Sequence, residues 1–141
     1  MQKTFSRAMR ISFVSTYPPR RCGIAAFTQD LANSISQIQE KRSNTRETVQ
    51  IVALTNTPQG YNYGKEICFE IRTEHRADYQ EAANFLNLSD TEIICLQHEF
   101  GIFGGRNGAY ILDLLDDLRK PVVTTLHTVL EEPTSCLLYT S

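Results

Sequence analysis

Hydrophobic residues follow a strand pattern in some segments and a helical spacing in others, and together the two patterns predict five strands and three helices. Four short apolar runs predict buried strands, at 11–15, 49–54, 92–97 and 122–126, and alternating apolar and polar residues predict a half-exposed strand at 65–72. Helical spacing predicts helices over 24–41, from 78 onwards, and between about 107 and 119. The order β-α-β-β-α-β-α-β indicates an α/β domain whose mainly parallel sheet carries helices on both faces.

Each predicted helix has an apolar stripe that we expect to face the sheet. On the first helix the stripe consists of Phe27, Leu31, Ile35 and Ile38. The second helix is predicted to begin at a capping box formed by Asp78 and Glu81. Its stripe consists of Tyr79, Ala82, Ala83 and Leu86, and that of the third helix consists of Ile111, Leu114, Leu115 and Leu118.

Ligands of parallel sheets bind at the carboxyl ends of the strands, so the segments after the buried strands are the candidate site. After the first strand, Arg20 and Arg21 precede Gly23 at the mouth of the predicted helix. A glycine there lets a ligand approach the backbone, and the unpaired N–H groups of a first turn attract anions. These residues predict a site for a phosphate, a diphosphate or a carboxylate. The alternative, that Gly23 only makes a turn and the arginines are solvated, stays open because the chain lacks a G-x-G-x-x-G pattern.

The loop after the fourth strand carries four glycines among residues 101–108. It begins with His98 and Glu99, and its apolar side chains would be out of place in a purely solvated connection. A structured loop at the ligand-binding edge is therefore predicted. The alternative is that the glycines only permit the turn and that Phe100 or Phe103 fills the core.

Histidines follow two of the predicted buried strands at the edge that also carries Gly23. His98 follows the fourth strand and His127 the fifth, and this shared position favours a functional role over a purely structural one. His75 lies beside two charged residues at a helix entrance and is predicted to be on the surface. No H-E-x-x-H, G-x-S-x-G or Walker lysine pattern is present, so zincin, serine hydrolase and P-loop interpretations have no support.

The amino-acid composition argues against nucleic acid as a binding partner and against a membrane-spanning segment. The 141 residues are 41% hydrophobic and carry 16 acidic and 14 basic side chains, for a formal net charge of −2. Nucleic-acid binding requires an excess of Lys and Arg that is absent here. No stretch approaches the ~20 apolar residues of a membrane span, and no signal peptide is evident, so we expect a cytoplasmic protein. The four cysteines are too widely spaced for a zinc or redox motif and are predicted to be reduced thiols.

Three blocks resemble family 4 glycosyltransferases, and more closely the bacterial members: S-T-Y-P-P-R-R-C-G-I-A at 15–25, Q-H-E-F-G-I-F-G-G at 97–105 and V-V-T-T-L-H-T at 122–128. The resemblance covers about residues 11–133. It implies a GT-B architecture, in which two Rossmann-like domains face each other across a cleft. The first domain would hold mainly the acceptor and the second mainly the nucleotide-sugar donor. It also implies a hexosyltransferase that retains the anomeric configuration and needs neither a metal nor another cofactor.

The resemblance assigns roles to individual residues near the first and last blocks. Gly23 and Ile24 match the loop that approaches the phosphates and sugar of the donor, with Arg20 and Arg21 beside them. His127 matches a histidine that contacts the transferred sugar, and it is the implied catalytic residue. Breaking a sugar–diphosphate bond places negative charge on the leaving group, which N–H groups and cations stabilise, and positive charge near the anomeric carbon, which a histidine could share.

The middle block matches a loop on the acceptor side, whose residues would be His98, Glu99, Gly104 and Gly105. The implied partners are therefore a nucleotide sugar and an unidentified acceptor. No transmembrane segment is expected, and peripheral membrane contact of the parent protein stays open.

The chain departs from the family in length. Residues 1–134 correspond to an incomplete first domain, and the second domain, with its nucleotide site and paired glutamates, has no counterpart. Residues 135–141 end on an apolar run that looks like a non-native tail. We therefore expect the chain to be an N-terminal fragment that is inactive alone, with a sheet that exposes an edge or face.

Two further hypotheses belong to other classes. A non-catalytic module that binds a phosphorylated metabolite or a carbohydrate would use the same arginines and glycines. A dinucleotide oxidoreductase is disfavoured, because the first turn lacks G-x-G-x-x-G and no acidic residue directly follows the second strand.

Overall fold

Five parallel strands form a single sheet in this computed structural model, which describes residues 7–44 and 47–132. The strands are β1 Ile11–Ser15, β2 Val49–Thr55, β3 Ile67–Arg72, β4 Ile93–His98 and β5 Val122–Leu126. The helices are α1 Gly23–Ser43, α2 Arg76–Leu88 and α3 Ile111–Asp117. The predicted order of elements is confirmed, and the domain is a Rossmann-like α/β fold.

The strand order β3-β2-β1-β4-β5 contains a change of direction. From β1 the chain builds outwards through β2 to β3, and it then returns to place β4 on the other side of β1. The segments that follow β1 and β4 therefore diverge at the carboxyl edge of the sheet. Such a divergence leaves a crevice where ligands of parallel sheets bind.

Helices cover both faces of the sheet, because alternate residues of each strand point to opposite sides. From β1, Phe13 points to the smaller core under α1, and Val14 points to the larger core under α2 and α3. The stripe predicted for α2 is confirmed, since all four of its members are fully buried. Of the stripe predicted for α3, Ile111 and Leu114 are buried, and Leu115 and Leu118 are partly buried against the same core.

The stripe predicted for α1 is partly wrong. Phe27 and Ile38 are 45% and 50% exposed, and the helix buries the small side chains Ala25, Thr28 and Ala32 instead. Small residues let α1 approach the sheet closely. The hydroxyl groups of Thr28 and Ser15 accordingly lie 2.7 Å apart, within hydrogen-bond distance across the helix–strand contact.

The predicted capping box of α2 is also wrong. The helix begins at Arg76, after His75, and no side chain caps it. The carboxylate of Asp78 instead accepts hydrogen bonds from Arg72 at the end of β3, from the backbone N–H at 2.9 Å and from the guanidinium at 2.8 and 3.0 Å. The hydrogen bonds from Arg72 hold the pKa of Asp78 below its usual value. The carboxylate therefore ties α2 to β3 rather than starting the helix.

The third helix and the last strand differ from their predictions as well. The helix starts at Ile111 rather than near Asn107, whose φ of 52° lies in the left-handed region within a short 3₁₀ turn. The strand β5 has the predicted bounds but is not buried, since Val123 and Leu126 are 53% and 58% exposed. Within the described residues it pairs with β4 alone and forms one edge of the sheet.

Within the described residues Cys22, Cys68 and Cys95 form no disulfide. Cys136 and the suspected tail at 135–141 lie outside these residues. Within 7–44 and 47–132, no helix is both long and apolar enough to cross a membrane.

Candidate functional site

The amino end of α1 lies at the carboxyl edge of the sheet and is open to a ligand. Cys22 precedes the helix, and its Sγ accepts a hydrogen bond from the N–H of Ala25 at 3.4 Å. No described group accepts from the N–H groups of Gly23 and Ile24. A Cβ added to Gly23 would meet no heavy atom within 4 Å. The fold therefore does not itself require a glycine here, and the absence of a side chain leaves this helix end accessible.

The two arginines before α1 lie in different environments. Arg21 is exposed, whereas Arg20 is half-buried and its Nη1 donates to the carbonyl oxygen of Leu54 in β2 at 3.3 Å. The predicted pair of cations is thus split, with Arg20 at the end of β2 and Arg21 in solvent.

His127, directly after β5, is held from three directions. Its backbone N–H donates to the carbonyl of His98 at 2.9 Å, its Nε2 lies 2.8 Å from Oε1 of Gln97, and the ring of Phe27 meets it edge-on with centroids 5.0 Å apart. An amide oxygen can only accept, so neutral His127 carries its proton on Nε2 and keeps a lone pair on Nδ1. Phe27 lies one helical turn after Gly23, so α1 brings the open helix end and His127 to the same region.

His98 contributes its backbone to this region rather than its ring. The ring packs against Phe100 and Phe103, with centroids 4.9 and 5.5 Å away. Its Nδ1 is buried and has no partner among the described residues. Burial lowers the pKa of His98, so the ring is neutral at neutral pH. A neutral ring suits this aromatic environment, because a charged one would be poorly solvated there.

Glu99 ties the ends of β4 and β5 together. Its carboxylate accepts from the hydroxyl of Thr128 and, at 3.5 Å, from the N–H of Gly101. The hydrogen bond from Thr128 lowers the pKa of Glu99, which is therefore ionised near neutral pH. This contact fixes the residue that follows His127.

Gly104 and Gly105 lie apart from these residues and have packing roles. A Cβ on Gly104 would lie 2.0 Å from the carbonyl oxygen of Thr73, and its N–H donates to the hydroxyl of Tyr79 at 2.9 Å. Gly105 has a φ of +79° and lies against the ring of Tyr110. The first residues of the glycine-rich loop therefore lie near His127, whereas Gly104 packs against Thr73, which follows β3.

Several residues that complete the site are not evident from the spacing of motifs. Gln97 is only 1% exposed, although it is polar and lies in a buried strand, and that mismatch is the signal that could have identified it. Phe27 belongs to the apolar stripe of α1, and nothing in its spacing indicates a contact with His127. A separate cavity of about 580 Å³ lies at the carboxyl ends of β2 and β3, where no site was predicted.

No family model, curated protein or solved structure matches the chain. Among the described residues, no group of three or more His, Cys, Asp or Glu side chains is placed to hold a metal ion.

Proposed function

We propose that the chain is the first, acceptor-side domain of a retaining glycosyltransferase, and that a second domain of the parent protein binds the nucleotide sugar. The observation that carries the proposal is the convergence of an open helix end at Gly23 with a hydrogen-bonded His127 at the carboxyl edge of the sheet. The three sequence blocks that resemble family 4 glycosyltransferases contribute residues to this region, and that resemblance supports the choice of reaction.

In this proposal the open end of α1 stabilises the leaving diphosphate. The N–H groups of Gly23 and Ile24 and the positive end of the helix dipole favour negative charge at that point. Arg21 is exposed and can turn towards the same anion. Charge that develops on the diphosphate as the bond breaks would therefore meet donors that are already oriented.

His127 orients the transferred sugar. With the proton of its ring held on Nε2 by Gln97, its Nδ1 accepts a hydrogen bond from a sugar hydroxyl near the anomeric carbon. Phe27 fixes the plane of the ring. Gln97 is thus a positioning residue, because it acts on the sugar only through His127.

The experiment measures sugar transfer by the parent protein carrying His127→Ala, with Thr124→Ala on β5 as the matched control, because that side chain is exposed and precedes the site. We expect kcat of the His127 variant to fall by about 10²-fold, as for a misplaced substrate, and the control to keep its activity. Unaltered turnover of His127→Ala would remove His127 from the mechanism.

The second candidate, a module that captures a phosphorylated metabolite without chemistry, is distinguished by calorimetry on the 141-residue chain. Micromolar binding of sugar phosphates to this chain, together with no transfer by the parent protein, would favour the module.

A further inference from the structure

The cavity at the carboxyl ends of β2 and β3 lies where hydrogen bonds join the two strand ends. Thr55 ends β2 and Thr73 follows β3, and both are buried. The backbone N–H and the hydroxyl of Thr73 both donate to the carbonyl of Thr55, at 2.9 and 3.1 Å. The walls are the turn at 56–60 and the segment at 72–75. A volume of about 580 Å³ is in the range of small-molecule sites.

The charges around the cavity do not favour an anion. Glu70 and Glu74 supply two carboxylates to its lining. Arg72 also lines it, but two nitrogens of its guanidinium already donate to Asp78, so most of its charge is balanced. His75 is the other titratable group of the lining. Arg20 donates to the carbonyl of Leu54, next to Thr55, and brings one positive charge to this end of β2. The two carboxylates outnumber it, so a phosphate would meet more negative than unbalanced positive charge.

The hydrogen-bonding groups suit a ligand with several hydroxyl groups. Gln59 presents an amide that both donates and accepts, and the carboxylate of Glu74 accepts. Asn56 and Glu70 each already accept one hydrogen bond, from the hydroxyls of Tyr61 at 2.6 Å and of Thr55 at 3.1 Å, and keep lone pairs for a ligand. Sugar and cyclitol hydroxyls also both donate and accept, so they can satisfy such a mixed lining. Pro58 adds an apolar surface for the C–H face of a ring.

We propose that this cavity binds a neutral polyhydroxylated ring, such as a monosaccharide or a cyclitol. That the bound ring is the acceptor rests on the proposed glycosyltransferase function. That the bound ring carries no charge is inferred from the residues that line the cavity and does not depend on the proposed function.

The test is an amide NMR titration of the 141-residue chain with myo-inositol and with methyl glucoside, compared with glucose 1-phosphate and inorganic phosphate. We expect shifts confined to residues 55–60 and 70–75 with the neutral rings, and weaker or no shifts there with the phosphates. Gln59→Ala and Glu74→Ala should each weaken ring binding by about 2- to 10-fold, as expected for one lost hydrogen bond. Glu81→Ala, an exposed carboxylate of α2 outside the cavity, is the control and should bind as the wild type.

Both Gln59 and Glu74 are exposed, so their variants should fold, and the amide spectra verify this directly. Absence of shifts at the cavity with both neutral rings, or tighter binding of either phosphate there, would overturn the proposal. Its failure is distinguishable from failure of the proposed function, since ring binding is measured without turnover and the His127 experiment is measured without reference to the cavity.

Discussion

Gly104→Ala tests whether the glycine-rich loop is shaped by packing. A Cβ at this position would lie 2.0 Å from the carbonyl oxygen of Thr73 and 2.9 Å from Cδ2 of Tyr110. The first contact is with backbone, so the loop must move, and that movement would stretch the hydrogen bond from Gly104 to Tyr79. Overpacking together with a weakened buried hydrogen bond should lower the free energy of unfolding by about 2–4 kcal/mol.

The assay is urea denaturation of the 141-residue chain followed by circular dichroism. Gly101→Ala is the matched control, because it lies in the same loop and its added Cβ would meet no heavy atom within 4 Å. We expect the control to remain within about 0.5 kcal/mol of the wild type. A Gly104→Ala variant as stable as the control would refute the packing role and reopen a ligand-contacting role for this glycine.

Three further predictions concern buried polar groups and thiols. Tyr79→Phe removes a hydroxyl that donates to Thr73 and accepts from Gly104, both at 2.9 Å, and should destabilise the chain by about 1–3 kcal/mol in the same denaturation assay. Burial lowers the pKa of His98, so its NMR titration midpoint should lie below 6.5, the ordinary pKa of a histidine. Because protonation then favours the unfolded chain, stability should fall as the pH drops from 6.5 towards that midpoint, and a midpoint at or above 6.5 would contradict the assignment. Burial raises the pKa of the Cys68 thiol from an ordinary value of 9.0 to about 11, which lowers its thiolate fraction at pH 8. Alkylation at pH 8, followed by mass spectrometry of its peptide, should therefore be about 100-fold slower than in the urea-unfolded chain. Equal alkylation rates in the folded and unfolded chains would show that the Cys68 thiol is accessible and that its pKa is not raised.

The fold was predictable where one local signal determines the structure. The apolar runs at 11–15 and 122–126 match β1 and β5 residue for residue, since short β-branched runs favour strands. The predicted burial of β1 is confirmed, but the exposure of β5 was not predictable from the same signal. The exposure of β5 depends on its position at the edge of the sheet, where only β4 lies beside it. The spacing of apolar residues within a strand does not reveal that position.

The candidate site was predictable only in outline. The rule that ligands bind at the carboxyl ends of parallel strands located Gly23 and His127. The partner of His127 was not identified, because Gln97 is 30 residues away and meets it only through the register of β4 and β5. The capping role predicted for Asp78 was wrong for a related reason. Its carboxylate accepts a hydrogen bond from the N–H of Arg72 at the end of β3 and not from an N–H group of its own helix.

Release of nucleoside diphosphate by the parent protein is the most direct test of the proposed glycosyl transfer. The measurement incubates that protein with a panel of nucleotide sugars and candidate acceptors, with and without a chelator, and quantifies nucleoside diphosphate and glycosylated product by mass spectrometry. NMR of the product then assigns the configuration of its anomeric carbon. The proposal predicts equal amounts of the two products for at least one donor, with no effect of the chelator and with the anomeric configuration retained. Absence of nucleoside diphosphate with every donor, from a folded parent protein, would contradict it.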